Sequence, residues 1–135
     1  VSPATYADLQ QSYGRCLRED SFIDKFYERF LASDPRIRAM FEKTDFAKQR
    51  MALRRGISMA ILHADGSSIV ERPMGQMADV HARAGRAPVP PELYPLWVNA
   101  LLDTIKATDP KADDTLMRRW REAMEKVTAM FVRHY

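Results

Sequence analysis

The stretch MGQMADVHARAGRAPVPPELYPLW, residues 74–97, decides how this chain is read. Its first part has helical spacing, so Met74 and Met77, seven and four residues before His81, share a face with that histidine. A histidine near a helix end can turn one ring nitrogen to the carbonyl one turn earlier, here that of Met77, and keep the other free for coordination. The two methionines then form a soft apolar wall under the ring. Pro88, Pro90 and Pro91 make a corner, and an amphipathic helix follows, presenting Leu93, Trp97, Ala100, Leu101 and Ile105. On spacing alone the plainer reading of His81 is a partly buried histidine in an amphipathic helix. His63 and His134 sit at helix ends, where surface placement explains them.

Upstream lies FYERFLASDPRIRAMF, residues 26–41. Phe22, Phe26 and Phe30 recur at four-residue spacing beside Ile23, Tyr27 and Leu31, so this helix buries a wide face. Ser21 with Asp24 fits a capping box. A tyrosine among phenylalanines on a buried face needs a hydrogen-bond partner, either a nearby protein group or something held in a pocket. Asp34-Pro35 starts a new, short helix that ends near Phe41, a feature an up-and-down bundle has no use for. In DFAKQRMALRRGI, residues 45–57, Gln49 shares a face with Phe46 and Leu53, as either a partly exposed edge or a pocket donor.

The rest of the chain reads as helix too. Spacing and cap signals predict helices over 3–17, 20–33, 35–40, 45–64, 69–84, 91–107 and 110–134, with Ser2-Pro3 and Asp109-Pro110 as further starts. Gly66-Ser67-Ser68 is a loop. The last helix presents Leu116, Trp120, Ala123, Met124, Val127 and Phe131, and the last two helices form the long pair expected to anchor the fold.

Composition narrows the function classes. With 135 residues the chain is expected to be one domain, residues 1–135, with a substantial core. It is 46% apolar and 29% charged, an ordinary globular composition. No apolar run is long enough to span a membrane, and the polar start VSPATYADLQQ lacks the layout of a secretory signal, so a cytoplasmic location is expected. The net charge of +3 is spread among mixed signs. The clusters Arg36-Ile37-Arg38, Arg54-Arg55 and Arg118-Arg119 read as solvated helix faces, which argues against nucleic-acid binding. Cys16 stands alone, so internal disulfides, zinc ribbons and a C-x-x-C-H haem attachment are excluded.

In this order and spacing the pieces resemble the globin family, specifically bacterial single-domain haemoglobins and the haem domain of flavohaemoglobins, over nearly the whole length. FYERF, then Asp34-Pro35, then Met40-Phe41 resembles the family's second and third helices and haem-contacting phenylalanine. PPELYPLWVNALL, residues 90–102, resembles a later helix with its Tyr94-Pro95 pair, and Trp120 matches a tryptophan of the last helix. The resemblance implies an all-α globin fold of about seven helices around a haem pocket. It places His81 as the proximal ligand of a non-covalently held haem b (iron protoporphyrin IX). It places Phe41 against the porphyrin, Leu53 over the iron, and Tyr27 and Gln49 as distal donors, and it gives Met77 a share in shaping the slot.

The function so implied is reversible binding of a diatomic gas (O2, NO or CO), with oxygen binding and transport preferred. The alternatives are nitric-oxide dioxygenation or a peroxidase-like activity with a separate reductase, or gas sensing. Two departures stand out. The corner in ARAGRAPVPPELY, residues 82–94, is longer than in those relatives, which bears on Arg83 and Arg86 as partners for the haem propionates. Some bacterial relatives also carry a glutamate late in the final helix, paired with the tyrosine near the proximal histidine. No acidic residue occupies that stretch here, so a peroxidase-like push from Tyr94 is not expected.

Overall fold

A computed structural model describes residues 6–135, and among them every regular element is helical. The order is α1 (Ala7–Leu17), α2 (Phe22–Ala32), α3 (Pro35–Met40), α4 (Phe46–Ala64), α5 (Glu71–His81), α6 (Tyr94–Thr108) and α7 (Asp114–Arg133). Short 3-10 turns, Ser68–Val70 and Pro91–Leu93, lead into α5 and α6. The Ser2-Pro3 start lies outside the described residues.

The most extensive helix pairing is α2 on α6, ahead of α4 on α7 and α6 on α7. The pair expected to anchor the fold is therefore present but ranks behind the aromatic face of α2. Phe22, Ile23, Phe26, Tyr27 and Phe30 are all buried. Phe26 meets Trp97 of α6 edge-on at 6.2 Å between ring centres and lies 5.4 Å from Phe30. Each buried large side chain contributes about 1.5–3 kcal/mol, so this one face outweighs any cap or surface ion pair in the fold. Along α7 the predicted stripe Leu116, Trp120, Ala123, Met124, Val127 and Phe131 is buried throughout.

Local signals explain several of the helix ends. Asp34 caps α3, its carboxylate accepting from Arg36 N at 2.8 Å, with Pro35 in the first turn. Asp45 caps α4 through Ala47 N and Lys48 N. Helix α4 stops at a glycine with φ of +80°, Gly66, whose N–H donates to His63 O while Ser67 N donates to Leu62 O. That left-handed residue and its paired bonds close the helix end.

Three expectations need correction. Ser21 precedes α2 but makes no side-chain cap bond, because its ψ of 0° keeps it out of the extended conformation that a capping hydroxyl needs. Asp24 instead faces Arg50 at 3.5 Å. Helix α5 ends at His81 and does not run on to 84, since Ala82 turns extended with ψ of 166°. Helix α7 begins four residues after the expected start: Asp113 is its cap, accepting from Leu116 N at 2.8 Å.

Asp109 serves another purpose. Its buried carboxylate accepts from Arg15 Nε at 2.7 Å, from Ser12 Oγ at 2.6 Å and from Lys111 N at 2.9 Å. Ser12 Oγ in turn accepts from Trp120 Nε1 at 3.0 Å. This chain of bonds ties α1, the α6–α7 turn and α7 together. Burial opposes the charged carboxylate, but the bonds from Arg15, Ser12 and Lys111 outweigh it and hold the acid down at about 2. Because the folded value lies below the ordinary 3.8, Asp109 adds stability that is complete above that pH and is lost as pH falls toward 2. Asp109→Ala leaves Arg15 and Ser12 without their partner. It is expected to lower stability at neutral pH by about 2–3 kcal/mol, with Tm down by roughly 5–10 °C, and to flatten the acid limb of the pH–stability curve. Thermal unfolding followed by circular dichroism between pH 2 and 7 checks both effects.

Candidate functional site

Helix α5 delivers His81 at its last residue. The His81 Nδ1 lies 2.9 Å from Met77 O. A carbonyl only accepts, so Nδ1 carries the hydrogen and Nε2 keeps its lone pair. Burial pushes the His81 pKa below the ordinary histidine value, and the Met77 carbonyl only partly offsets this, so the ring is a neutral imidazole with one free nitrogen. Met74 is buried and Met77 half-buried, and both line the same cavity as the imidazole. Phe131 of α7 approaches the imidazole at 5.5 Å between ring centres, and Tyr94 of α6 packs edge-on against Phe131 at 5.8 Å. Tyr94 does not bond His81. Its buried hydroxyl has no partner among the described residues, and burial raises its pKa to about 12, so it stays a neutral donor.

The corner after His81 folds back onto α5. Ala87 N donates to Val80 O at 2.9 Å and Val89 N to His81 O at 3.0 Å, supplying two carbonyls that a helix end leaves without partners. Arg83 N donates to Tyr135 O at 3.4 Å, and the Arg83 guanidinium lies 4.8 Å over the Tyr135 ring. Of the two corner arginines expected at an anionic edge, Arg86 borders the cavity described below, whereas Arg83 stacks on Tyr135.

Tyr27, Phe41, Gln49 and Leu53 form another part of the cavity wall. Gln49 Nε2 donates to Tyr27 Oη at 3.0 Å, while Tyr27 Oη has the main-chain Gln49 O only at a long 3.5 Å. Tyr27 is 5% exposed, and burial, partly countered by the Gln49 bond, pushes its pKa up to about 12. Its proton is therefore held at Oη, and among the described residues its acceptor is Gln49 O at the long 3.5 Å. Phe41 is half-buried and meets Tyr27 at 5.8 Å, Phe30 at 5.9 Å and Phe46 at 6.1 Å between ring centres. Leu53 is buried one turn beyond Gln49.

All six residues singled out from the sequence (His81, Phe41, Leu53, Met77, Tyr27 and Gln49) line one cavity of about 780 Å³, a size suited to a small organic cofactor. Sequence reading did not assign Trp97, Val127 and Phe131 to this wall, although they lie on it. Their spacing marked them only as core, and periodicity cannot distinguish a side chain that meets another helix from one that meets a slot. Arg55, read as part of a solvated cluster, also borders the cavity. Among the described residues the charged lining side chains are thus Arg55 and Arg86, both cationic, and no carboxylate lines the cavity. Among the described residues no three His, Cys, Asp or Glu side chains gather into a metal cluster, and no helix is long and apolar enough to cross a membrane.

Comparison with known proteins bears on what such a slot belongs to. No curated protein matches the chain. Among solved structures, one from Pseudomonas aeruginosa PAO1, described as structurally highly homologous to a human hemoglobin, superposes with a TM-score of 0.88. It is 38% identical in sequence, over 93% of this chain and 94% of that one. The Globin family model matches residues 24–131, a span that holds both cavity walls, and the chain belongs to the globin family.

Proposed function

We propose that this globin holds a b-type haem through His81 and binds a diatomic gas reversibly, with dioxygen the preferred ligand. One observation carries the reading: a neutral imidazole with a free Nε2 and a tyrosine whose proton has only a long 3.5 Å contact to Gln49 O line the same apolar cavity. Haem fits the residues present. Its flat apolar ring suits walls of Phe41, Leu53, Met77 and Trp97, and its carboxylates suit a lining whose charged side chains are Arg55 and Arg86. When bound, it supplies an iron centre able to take a small gas as ligand.

The chain's own residues do the rest. His81 offers Nε2 as an uncharged donor, and Met77 O fixes the tautomer and ring direction. Tyr27 holds its proton at Oη, ready to donate to a ligand that gains partial negative charge. Gln49 donates into the same oxygen and so polarises that hydroxyl outward. Phe41 and Leu53 narrow the slot and limit water, which strengthens the contact that Tyr27 makes.

Three spectra of the purified, haemin-reconstituted protein test this: ferric, reduced and CO-bound. Stoichiometric haem is expected in the wild type, and His81→Ala is expected to lose it. Unchanged haem content and ligation in that variant would remove His81 as the ligand. Tyr27→Phe deletes the distal donor, a bond to a partly charged acceptor of about 1.5–3 kcal/mol, and is expected to speed dioxygen dissociation on the order of ten- to a hundredfold. Stopped-flow displacement by CO reads this rate, and an unchanged value would take Tyr27 out of the mechanism.

A further inference from the structure

We propose that Gly85 is a positioning residue for His81: its bare Cα lets the corner after α5 seat against the helix turn that carries the imidazole. This rests on the reading of His81 as the haem ligand. A Cβ at Gly85 would lie 2.2 Å from Asp79 O and 2.4 Å from Val80 O, both main-chain atoms of the last turn of α5. Real Cβ atoms do not approach that closely, and a backbone carbonyl cannot swing aside as a flexible side chain can. Any side chain at position 85 therefore moves either the corner or the end of α5.

Both movements reach His81. The corner supplies Ala87 N to Val80 O and Val89 N to His81 O, so lifting it strips the partners from the two carbonyls next to the imidazole in the chain. Shifting the helix end instead disturbs the turn from Met77 to His81, whose carbonyl-to-ring bond aims the side chain. The corner is also joined to Tyr135, by the Arg83 main-chain bond to Tyr135 O at 3.4 Å and by the guanidinium over its ring, so lifting it disturbs these contacts as well. Glycine is required there by close approach and not by a left-handed backbone, since Gly66 is the positive-φ glycine among the described residues.

Gly75 is a matched control. It lies on α5 itself, and a Cβ there would meet nothing within 4 Å. With wild type, Gly75→Ala and Gly85→Ala reconstituted with haemin, two quantities are measured: haem transfer to an excess of an acceptor globin, and the iron–histidine stretching band of the reduced protein by resonance Raman. Gly85→Ala is expected to shift the band and to accelerate haem loss on the order of tenfold or more, as loss of a ligand's supporting bonds does. Gly75→Ala is expected to match wild type. A Gly85→Ala protein with wild-type band and haem loss overturns the proposal. Should that variant not fold, Ala87→Pro deletes the bond to Val80 O without adding bulk at residue 85 and is expected to shift the band in the same way; an unshifted band there overturns the proposal too. Amide exchange at Ala87 and Val89 in the haem-free chain separates the two readings. Faster exchange in Gly85→Ala than in Gly75→Ala supports the seating of the corner, and equal exchange refutes it. Wild type that takes up no haem overturns the role of His81 itself.

Discussion

The packing of α2 against α6 is the contact on which the rest of the molecule depends. Phe26 lies fully buried in it, with Trp97 edge-on across the interface and Phe30 one turn along. Two consequences follow from where its neighbours fall. Tyr27, next to Phe26 on α2, must point about a quarter turn away, and it meets Gln49 of α4. On α6, Tyr94 and Trp97 lie three apart on one face and line the cavity together. One crossing thus sets residues of two cavity walls at once.

Two polar side chains of the cavity wall share a device: the state of each is fixed by a neighbour. His81 is held as one tautomer by Met77 O, within its own helix. Tyr27 is held neutral by burial and receives a bond from Gln49, on a different helix. The first is a bond within one turn of α5, on which the following corner packs through Ala87 and Val89. The second needs α2 and α4 in register, so the Tyr27–Gln49 bond is the more sensitive to how the helices pack.

This difference also governs what could be read from the sequence. The bond from His81 to Met77 O was legible because a four-residue step along a helix fixes it. Asp34-Pro35 was legible for the same reason: cap and first turn lie side by side in the chain. Gln49 and Tyr27 could be named as polar residues on apolar faces, but the bond between them could not be read, since they are 22 positions apart on helices separated by α3. Asp109-Pro110 misled because the same dipeptide also suits a turn, and a partner 94 residues away, Arg15, claims the carboxylate. The end of α5 was placed too late because Ala82, Arg83 and Ala84 are good helix formers. The corner that stops them is held by bonds from Ala87 and Val89, which no local signal announces. Gly85 carries no mark at all in the sequence, because its role is a distance to other main-chain atoms.

The cavity has a consequence for how much folded protein exists at any moment. Its walls, Phe41, Leu53, Met77 and Trp97 among them, find full dispersion partners only when something fills the space between them. A molecule that binds there and not to the unfolded chain shifts the folding equilibrium by mass action, in proportion to the logarithm of its concentration over its Kd. Proteases and chaperones act on the unfolded fraction. An occupant of the cavity thus leaves less unfolded chain open to them, which couples the persistence of a chain to the supply of what fills it.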